Sequence, residues 1–199
     1  MAKRLFDLGV ATLGLLLLAP LLLVIALWVK LDSPGPVFFR QERVGRFGVP
    51  FRIHKFRTMT YRADAGGALI TVGADARVTR AGTLLRRAKL DELPQLVDVL
   101  RGAMSIVGPR PEVPRYVAIY PRELRDKVLS VRPGITDFAS IQFRDESALL
   151  ARAADPEREY TEVVLPAKLQ LAAQYVDQAS LATDLRLIGR TLKVLFADG

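Results

Sequence analysis

Asp91 and Glu92 are adjacent acids at the start of LDELPQLVDVLRG, and two neighbouring carboxylates can divide one chemical task. One can attack an electrophile while the other holds a divalent cation, which offsets the repulsion between an anionic nucleophile and an anionic phosphate. Pro94 suits the first helical position and Gly102 the position after the end, so the spacing predicts a helix of about eight residues with the pair at its mouth. The free N–H groups and partial positive charge there favour an anion. The same acids also serve as ordinary helix-end charges, and their spacing alone does not choose between the uses.

The cations for such chemistry are Lys55, Arg57, Arg110, Arg132 and Arg144. Lys55 and Arg57 alternate with Phe56, which predicts that both lie on one strand face. Arg110 sits in Gly108-Pro-Arg-Pro-Glu112 and Arg132 in Arg132-Pro-Gly-Ile-Thr136, two proline-stiffened loops that lose little entropy on clamping a phosphate. Paired acids with several bases on stiff loops are what phosphoryl transfer needs. The chain has no cysteine and one histidine, His54. Disulfides, thiolate sites and a cysteine nucleophile are excluded, and an imidazole metal cluster or Ser-His-Asp triad is disfavoured. Catalysis then rests on carboxylates, Lys and Arg with a hard metal ion bound through oxygen. The net charge of +8 points to an anionic partner, with lipid headgroups, nucleotide phosphates and nucleic acid all qualifying. No aromatic platform or recognition helix accompanies the charge, which argues against nucleic acid.

What must position these residues begins with a membrane element at 1–31. Leu8 to Val29 carries no charge, and at about 1.5 Å per residue is long enough to cross a hydrocarbon core of about 30 Å. Basic residues flank it on both sides, Lys3 and Arg4 before and Lys30, Arg40 and Arg43 after, so both ends ask for the cytoplasmic side. Pro20 lies at its middle. A helix that enters, breaks at Ala19-Pro20 and leaves by the same face accounts for these features, and a proline-kinked single span remains the rival. Residues 32–199 form one compact cytosolic domain. Its first part, 33–62, has seven basic residues, Arg62 among them, against one acid and reads as two short strands or a hairpin facing anionic lipid. A loop is predicted over 63–79, and a helix over 82–90 with Leu84, Leu85 and Ala88 inward and Arg86, Arg87 and Lys89 outward. Further helices are predicted over 121–129 and 155–197, the latter broken near Pro166 and Ser180 and burying Leu185, Ile188, Leu192, Leu195 and Phe196. The fold class is α+β, mainly helical, with a small β-hairpin.

Several segments occur in a telling order: Lys3-Arg4 with Asp7, the apolar run with x-Pro, SPGPVFFRQERVG, HKFRTM, LDELPQL, MSIVGPRPE and RPGIT. Together they resemble the bacterial sugar transferase family, the monotopic phosphoglycosyl transferases, over about two thirds of the chain. The resemblance implies transfer of a phosphosugar from a UDP-sugar to polyprenol (undecaprenyl) phosphate with release of UMP, as the first membrane step of glycoconjugate or exopolysaccharide synthesis. It implies Asp91 as a nucleophile forming a covalent phosphosugar intermediate, Glu92 as a ligand of Mg²⁺ (Mn²⁺ as an alternative), Lys55 and Arg110 as substrate-binding bases, and Arg144 and Asp184 as further charged site residues. Lys3, Arg4 and Pro20 match its re-entrant element. The implied setting is the cytosolic face of a bacterial inner membrane, with anionic lipids as partners and a homodimer as one admissible assembly. The chain departs from the family's usual pattern with Ala19 for Ser before the proline, Asp137 for Gly after RPGIT, and a longer 149–170 segment. The rival reading is a basic, membrane-tethered scaffold without catalysis.

Overall fold

The computed structural model describes residues 1–61 and 70–196 and is mainly helical with two small sheets. Arg62 and the first half of the predicted loop lie outside the described residues, and from Ile70 to Val78 the chain is irregular. Helix α1 (Ala2–Asp32) carries the apolar run and continues through Pro20, so the break predicted at Ala19-Pro20 is not seen. Proline removes one N–H and crowds the carbonyl four residues earlier. The flanking residues are mostly Leu and Ala, good helix formers whose own hydrogen bonds contain that defect.

Both ends of α1 are tied to the same domain. Near its start, buried Asp7 accepts from Ser105 Oγ (2.9 Å) and the Ile106 N–H (3.1 Å), and Ala11 enters the main core. Near its end, Ile25 and Val29 pack with Phe56 and Leu85, and Asp32 accepts from the Ala81 N–H at 3.1 Å. Between these anchors Leu13, Leu16, Leu17, Leu21, Leu23 and Val24 are exposed.

The predicted hairpin is present: β1 (Phe38–Val44) and β2 (Pro50–Phe56) pair antiparallel, Phe38 opposite Phe56 and Val44 opposite Pro50. Alternation along β2 sends His54 and Lys55 to opposite faces. His54 binds Asp98 with both its backbone N–H (2.8 Å) and its ring Nδ1 (2.6 Å), fixing β2 on the next helical layer.

Helix α2 (Arg80–Arg87) starts two residues before its predicted position because the Thr79 hydroxyl accepts from the Gly82 N–H at 3.0 Å. A single 3₁₀ turn (Leu90–Glu92) leads to α3 (Gln95–Leu100), which is shorter than predicted because Pro94 is its cap and not its first residue. Its buried face is Gln95, Leu96, Asp98 and Val99, and Leu100 is exposed. The ties of Asp98 to His54 set that rotation.

Strands β3 (Ser105–Val107) and β4 (Gly134–Thr136) pair in parallel, joined by a crossover through α4 (Pro114–Val117) and α5 (Arg122–Val128). Beyond β3 the backbones of Gly108 and Gly134 touch; a Cβ on Gly134 would lie 2.0 Å from the Gly108 nitrogen. This contact presses the GPRP and RPGIT loops together. The chain ends in α6 (Phe138–Gln142), α7 (Glu146–Leu150), α8 (Pro156–Glu159), a π turn (Tyr160–Val164), α9 (Leu165–Gln178) and α10 (Leu181–Phe196). The break predicted at Ser180 is seen, while near Pro166 the chain stays helical, passing from the π turn directly into α9. Helix α10 buries Asp184 and Leu187 and packs Ile188 on the core as predicted, but leaves Leu185 and Leu192 exposed, a partial rotation from the predicted face; the side chains of Leu195 and Phe196 lie outside the described part of the chain. The main core joins Ala11, Leu96, Val99, Met104, Val107, Tyr175 and Leu187.

Candidate active site

The acid pair is turned inward. Lys89 adopts the left-handed conformation (φ 56°), which reverses the chain after α2 and folds Leu90–Glu92 into its tight turn. A non-glycine residue held there stores local strain of order 1 kcal/mol, a cost often found beside functional groups. Glu92 accepts from Lys55 Nζ at 2.6 Å, from Arg110 Nη1 at 3.0 Å, and from Arg110 Nη2. A hairpin strand, a tight turn and a proline-stiffened loop thus converge on one carboxylate.

This convergence drives the two acids apart electrostatically. Burial opposes ionisation of Glu92, but the charges of Arg110 and Lys55 and their hydrogen bonds outweigh it and hold Glu92 well below the usual carboxylate range. Burial pushes Asp91 up, against the pull of Lys55, and the neighbouring Glu92 charge adds to the rise. Burial also lowers Lys55, with Glu92 partly restoring it, while Glu92 raises Arg110. Asp91 Oδ1 is buried with no hydrogen-bond partner. The two neighbouring carboxyls thus differ: Glu92 is a clamped anion, while Asp91 keeps a buried oxygen with no hydrogen-bond partner.

Among the described residues no group of three or more acids and histidines could cage a metal. A magnesium-type ion needs no such cage, since it keeps waters and binds through one or two carboxylates with substrate phosphates. The orphaned Asp91 oxygen beside Glu92 fits that mode.

Of the remaining predicted site residues, most hold the fold together. Arg57, 4% exposed, donates to the carbonyls of Val29 (3.0 Å), Ser33 (2.6 Å) and Pro34 (2.7 Å), so it caps the end of α1 instead of facing the acids. It lies just past the end of β2, so strand alternation no longer governs it. Arg132 donates to the Gly102 carbonyl (2.8 Å), at the far end of α3 from Asp91. Arg144 donates to the Val194 carbonyl (2.8 Å) in the last turn of α10. Asp184 is fully buried and accepts from Lys3 Nζ (2.6 Å) and Tyr175 Oη (2.8 Å). Lys3 also donates to the Val107 carbonyl, and Arg4 to those of Val99 and Leu100, so this N-terminal pair docks α1 on the domain. Arg57→Ala is expected to cost about 3 kcal/mol in denaturant unfolding, since three carbonyls lose a charged, buried donor. Unchanged stability in that measurement would return Arg57 to the site.

Two residues join the site without having been predicted. Arg86, expected outward, donates to Thr58 Oγ1 (2.8 Å) and Thr71 Oγ1 (3.2 Å), and its charge favours ionised Asp91. It follows buried Gly82 by four positions, so it shares a helix face with that glycine, and this spacing is the signal in the sequence that points to it. Asp137 accepts from the backbone N–H of Arg110 at 3.1 Å, so the departure from the family's usual glycine bears on an arginine that holds Glu92.

A family model described as bacterial sugar transferase matches residues 1–198. A UDP-glucose:undecaprenyl-phosphate glucose-1-phosphate transferase of Caulobacter vibrioides is 41% identical over 197 residues, 97% of this chain and 69% of that protein. A UDP-N-acetylgalactosamine-undecaprenyl-phosphate N-acetylgalactosaminephosphotransferase of Aeromonas hydrophila is 36% identical over 97% of this chain and 43% of its own length. A UDP-glucose:undecaprenyl-phosphate glucose-1-phosphate transferase of Escherichia coli is 38% identical over 96% of this chain and 39% of its own length. The chain therefore spans under half of the latter two proteins.

Proposed function

Since this chain belongs to the bacterial sugar transferase family, we propose that it moves a sugar 1-phosphate from a UDP-sugar to undecaprenyl phosphate and releases UMP. The observation that carries this reading is the clamp of Lys55 and Arg110 on Glu92, next to the buried and unpartnered Asp91 carboxylate. In the first step an Asp91 oxygen attacks the phosphorus that bears the sugar. A bond from carboxylate to phosphorus forms, the diphosphate bridge breaks, and UMP leaves with the bridging oxygen. In the second step an oxygen of the polyprenol phosphate attacks the same phosphorus, the bond to Asp91 breaks, and the carboxylate is restored. Lys55, Arg86 and Arg110 balance the negative charge that gathers around the phosphoryl group. Glu92 would hold Mg²⁺ beside Asp91, and the ion when bound supplies positive charge next to the diphosphate. The relatives' names include glucose and N-acetylgalactosamine, so the test is a panel of UDP-sugars offered with Mg²⁺ and undecaprenyl phosphate. Release of UMP that depends on the lipid acceptor is expected. Release from none of them would leave the basic scaffold as the better reading.

The topology follows from where the two substrates meet. A nucleotide sugar arrives from the cytosol and the lipid phosphate lies in the adjoining leaflet, so in this reading α1 enters the cytosolic leaflet of the inner membrane and returns by bending at Pro20 without interrupting its helical turns. Support comes from its two anchors, since Lys3 and Asp7 at one end and Asp32 at the other bind one domain. The exposed leucines between them then face lipid. The chain has no cysteine of its own, so single reporters at exposed Ala2 and Pro36 give a clean readout. Both are expected to react with an impermeant thiol reagent from the cytosolic side only; labelling from opposite sides would mean a true span.

A further inference from the structure

We propose that Asp137 is a positioning residue that sets Arg110 for the reaction, an inference that rests on the transferase reading above. Asp137 is 1% exposed and divides its carboxylate between two backbone donors. Oδ1 accepts from the Ser140 N–H at 2.7 Å, capping α6, and Oδ2 accepts from the Arg110 N–H at 3.1 Å. The two loops that carry these residues are already joined by backbone bonds from Gly108 to Thr136 (3.1 Å) and from Gly134 to Pro109 (3.0 Å). Arg110 stands between Pro109 and Pro111, neither of which has an N–H. Its own N–H is therefore the one backbone donor at the tip of the loop, and Asp137 takes it. On the other side Arg43 Nη1 donates to the Pro111 carbonyl at 3.0 Å.

The consequence lies at the opposite end of the arginine. Its guanidinium forks onto both oxygens of Glu92, and a fork of that kind tolerates little drift of the backbone that carries it. Asp137 touches neither acid and acts only through Arg110. A residue in its place that lacks a second acceptor leaves the loop tip free to move, and the fork with it. The rate should suffer more than substrate affinity, because the charge Arg110 meets grows as the phosphoryl group transfers.

Asp137→Ser separates the two jobs of this side chain. Serine is about as good a helix cap as aspartate, so α6 keeps its start, but one hydroxyl cannot also serve the Arg110 N–H. The full-length protein in detergent or nanodiscs is tested in two ways. In steady-state transfer from the active UDP-sugar, kcat is expected to fall about tenfold, with KM moving by less than about twofold and the melting temperature within a few degrees of the parent. In hydrogen exchange read by mass spectrometry, a peptide over 108–112 reports Arg110 with few competing amides, and its exchange is expected to quicken by at least about tenfold. Should Asp137→Ser not fold, Asp137→Asn, which keeps one acceptor for two donors, is expected to show the same two changes to a smaller degree. Parent-like kcat, or unaltered exchange at Arg110, would overturn the assignment. A parent protein that releases no UMP would remove the transferase reading instead, and the exchange measurement would still decide whether Asp137 holds the Arg110 loop.

Discussion

Asp91→Asn is expected to abolish turnover, by at least about a thousandfold in UMP release, without lowering the melting temperature. The amide has the shape of the carboxylate but cannot form the bond to phosphorus, so intact-mass measurement after incubation with UDP-sugar alone should show a sugar-phosphate adduct on the parent and none on the variant. Stability should hold or rise because burial already pushes the Asp91 carboxyl up. A carboxyl raised in the folded state loses stability as pH climbs from its ordinary value through the raised one, and the variant escapes that loss at neutral pH. The same shift places the acid limb of the parent's pH–rate profile above the usual carboxylate range, since only ionised Asp91 attacks. Lowering of Lys55 brings the alkaline limb down from the ordinary lysine position. Full turnover by Asp91→Asn, or an adduct on it, would remove Asp91 as the nucleophile.

Glu92→Gln should be costly in both stability and rate. The substitution leaves Lys55 and Arg110 facing each other in the interior without their shared anion, and stranding buried charge in this way costs about 3–5 kcal/mol. Transfer should fall by at least about a hundredfold, because the two cations no longer have a fixed place. The pH dependence carries the sign. Glu92 is held below the usual carboxylate range, so its stabilisation is present above that range and is lost as pH falls through the depressed value. Denaturant unfolding across acid pH should therefore show a steeper loss for the parent than for Glu92→Gln, with the two converging toward low pH. Parallel curves would mean that Glu92 is not the group holding the cations.

Where local pattern governs, the fold is legible from the residues alone. The hairpin follows from β-rich segments around a glycine turn, and its strands pair as expected. The helices at 80–87 and 122–128 lie where they are predicted, with ends shifted by one to three positions. The acid pair is legible as a candidate site because its chemistry is carried by adjacent residues. Expectation and structure part where a distant partner overrides local preference. His54 of β2 draws the Asp98 face of α3 inward, and Pro20 is absorbed by the long helix that surrounds it.

By itself the sequence determined which chemistry is available: no thiol, a lone imidazole, an acid pair, and arginines fixed on proline-bound loops. It also determined the apolar length that must leave water and, through the order of its motifs, the family. Only the tertiary structure decided which cations meet the acids. Lys55 reaches Glu92 from 37 residues away and Arg110 from 18, while Arg57, Arg132 and Arg144 are spent on backbone carbonyls and Asp184 on Lys3. The reason is physical. A buried charge must be matched within about 3 Å, and a long, flexible side chain takes whichever carboxylate or helix end the fold brings that near. Spacing along the chain says that an arginine is present, and the packing of α1, β2 and the two glycine-tight loops says what it holds.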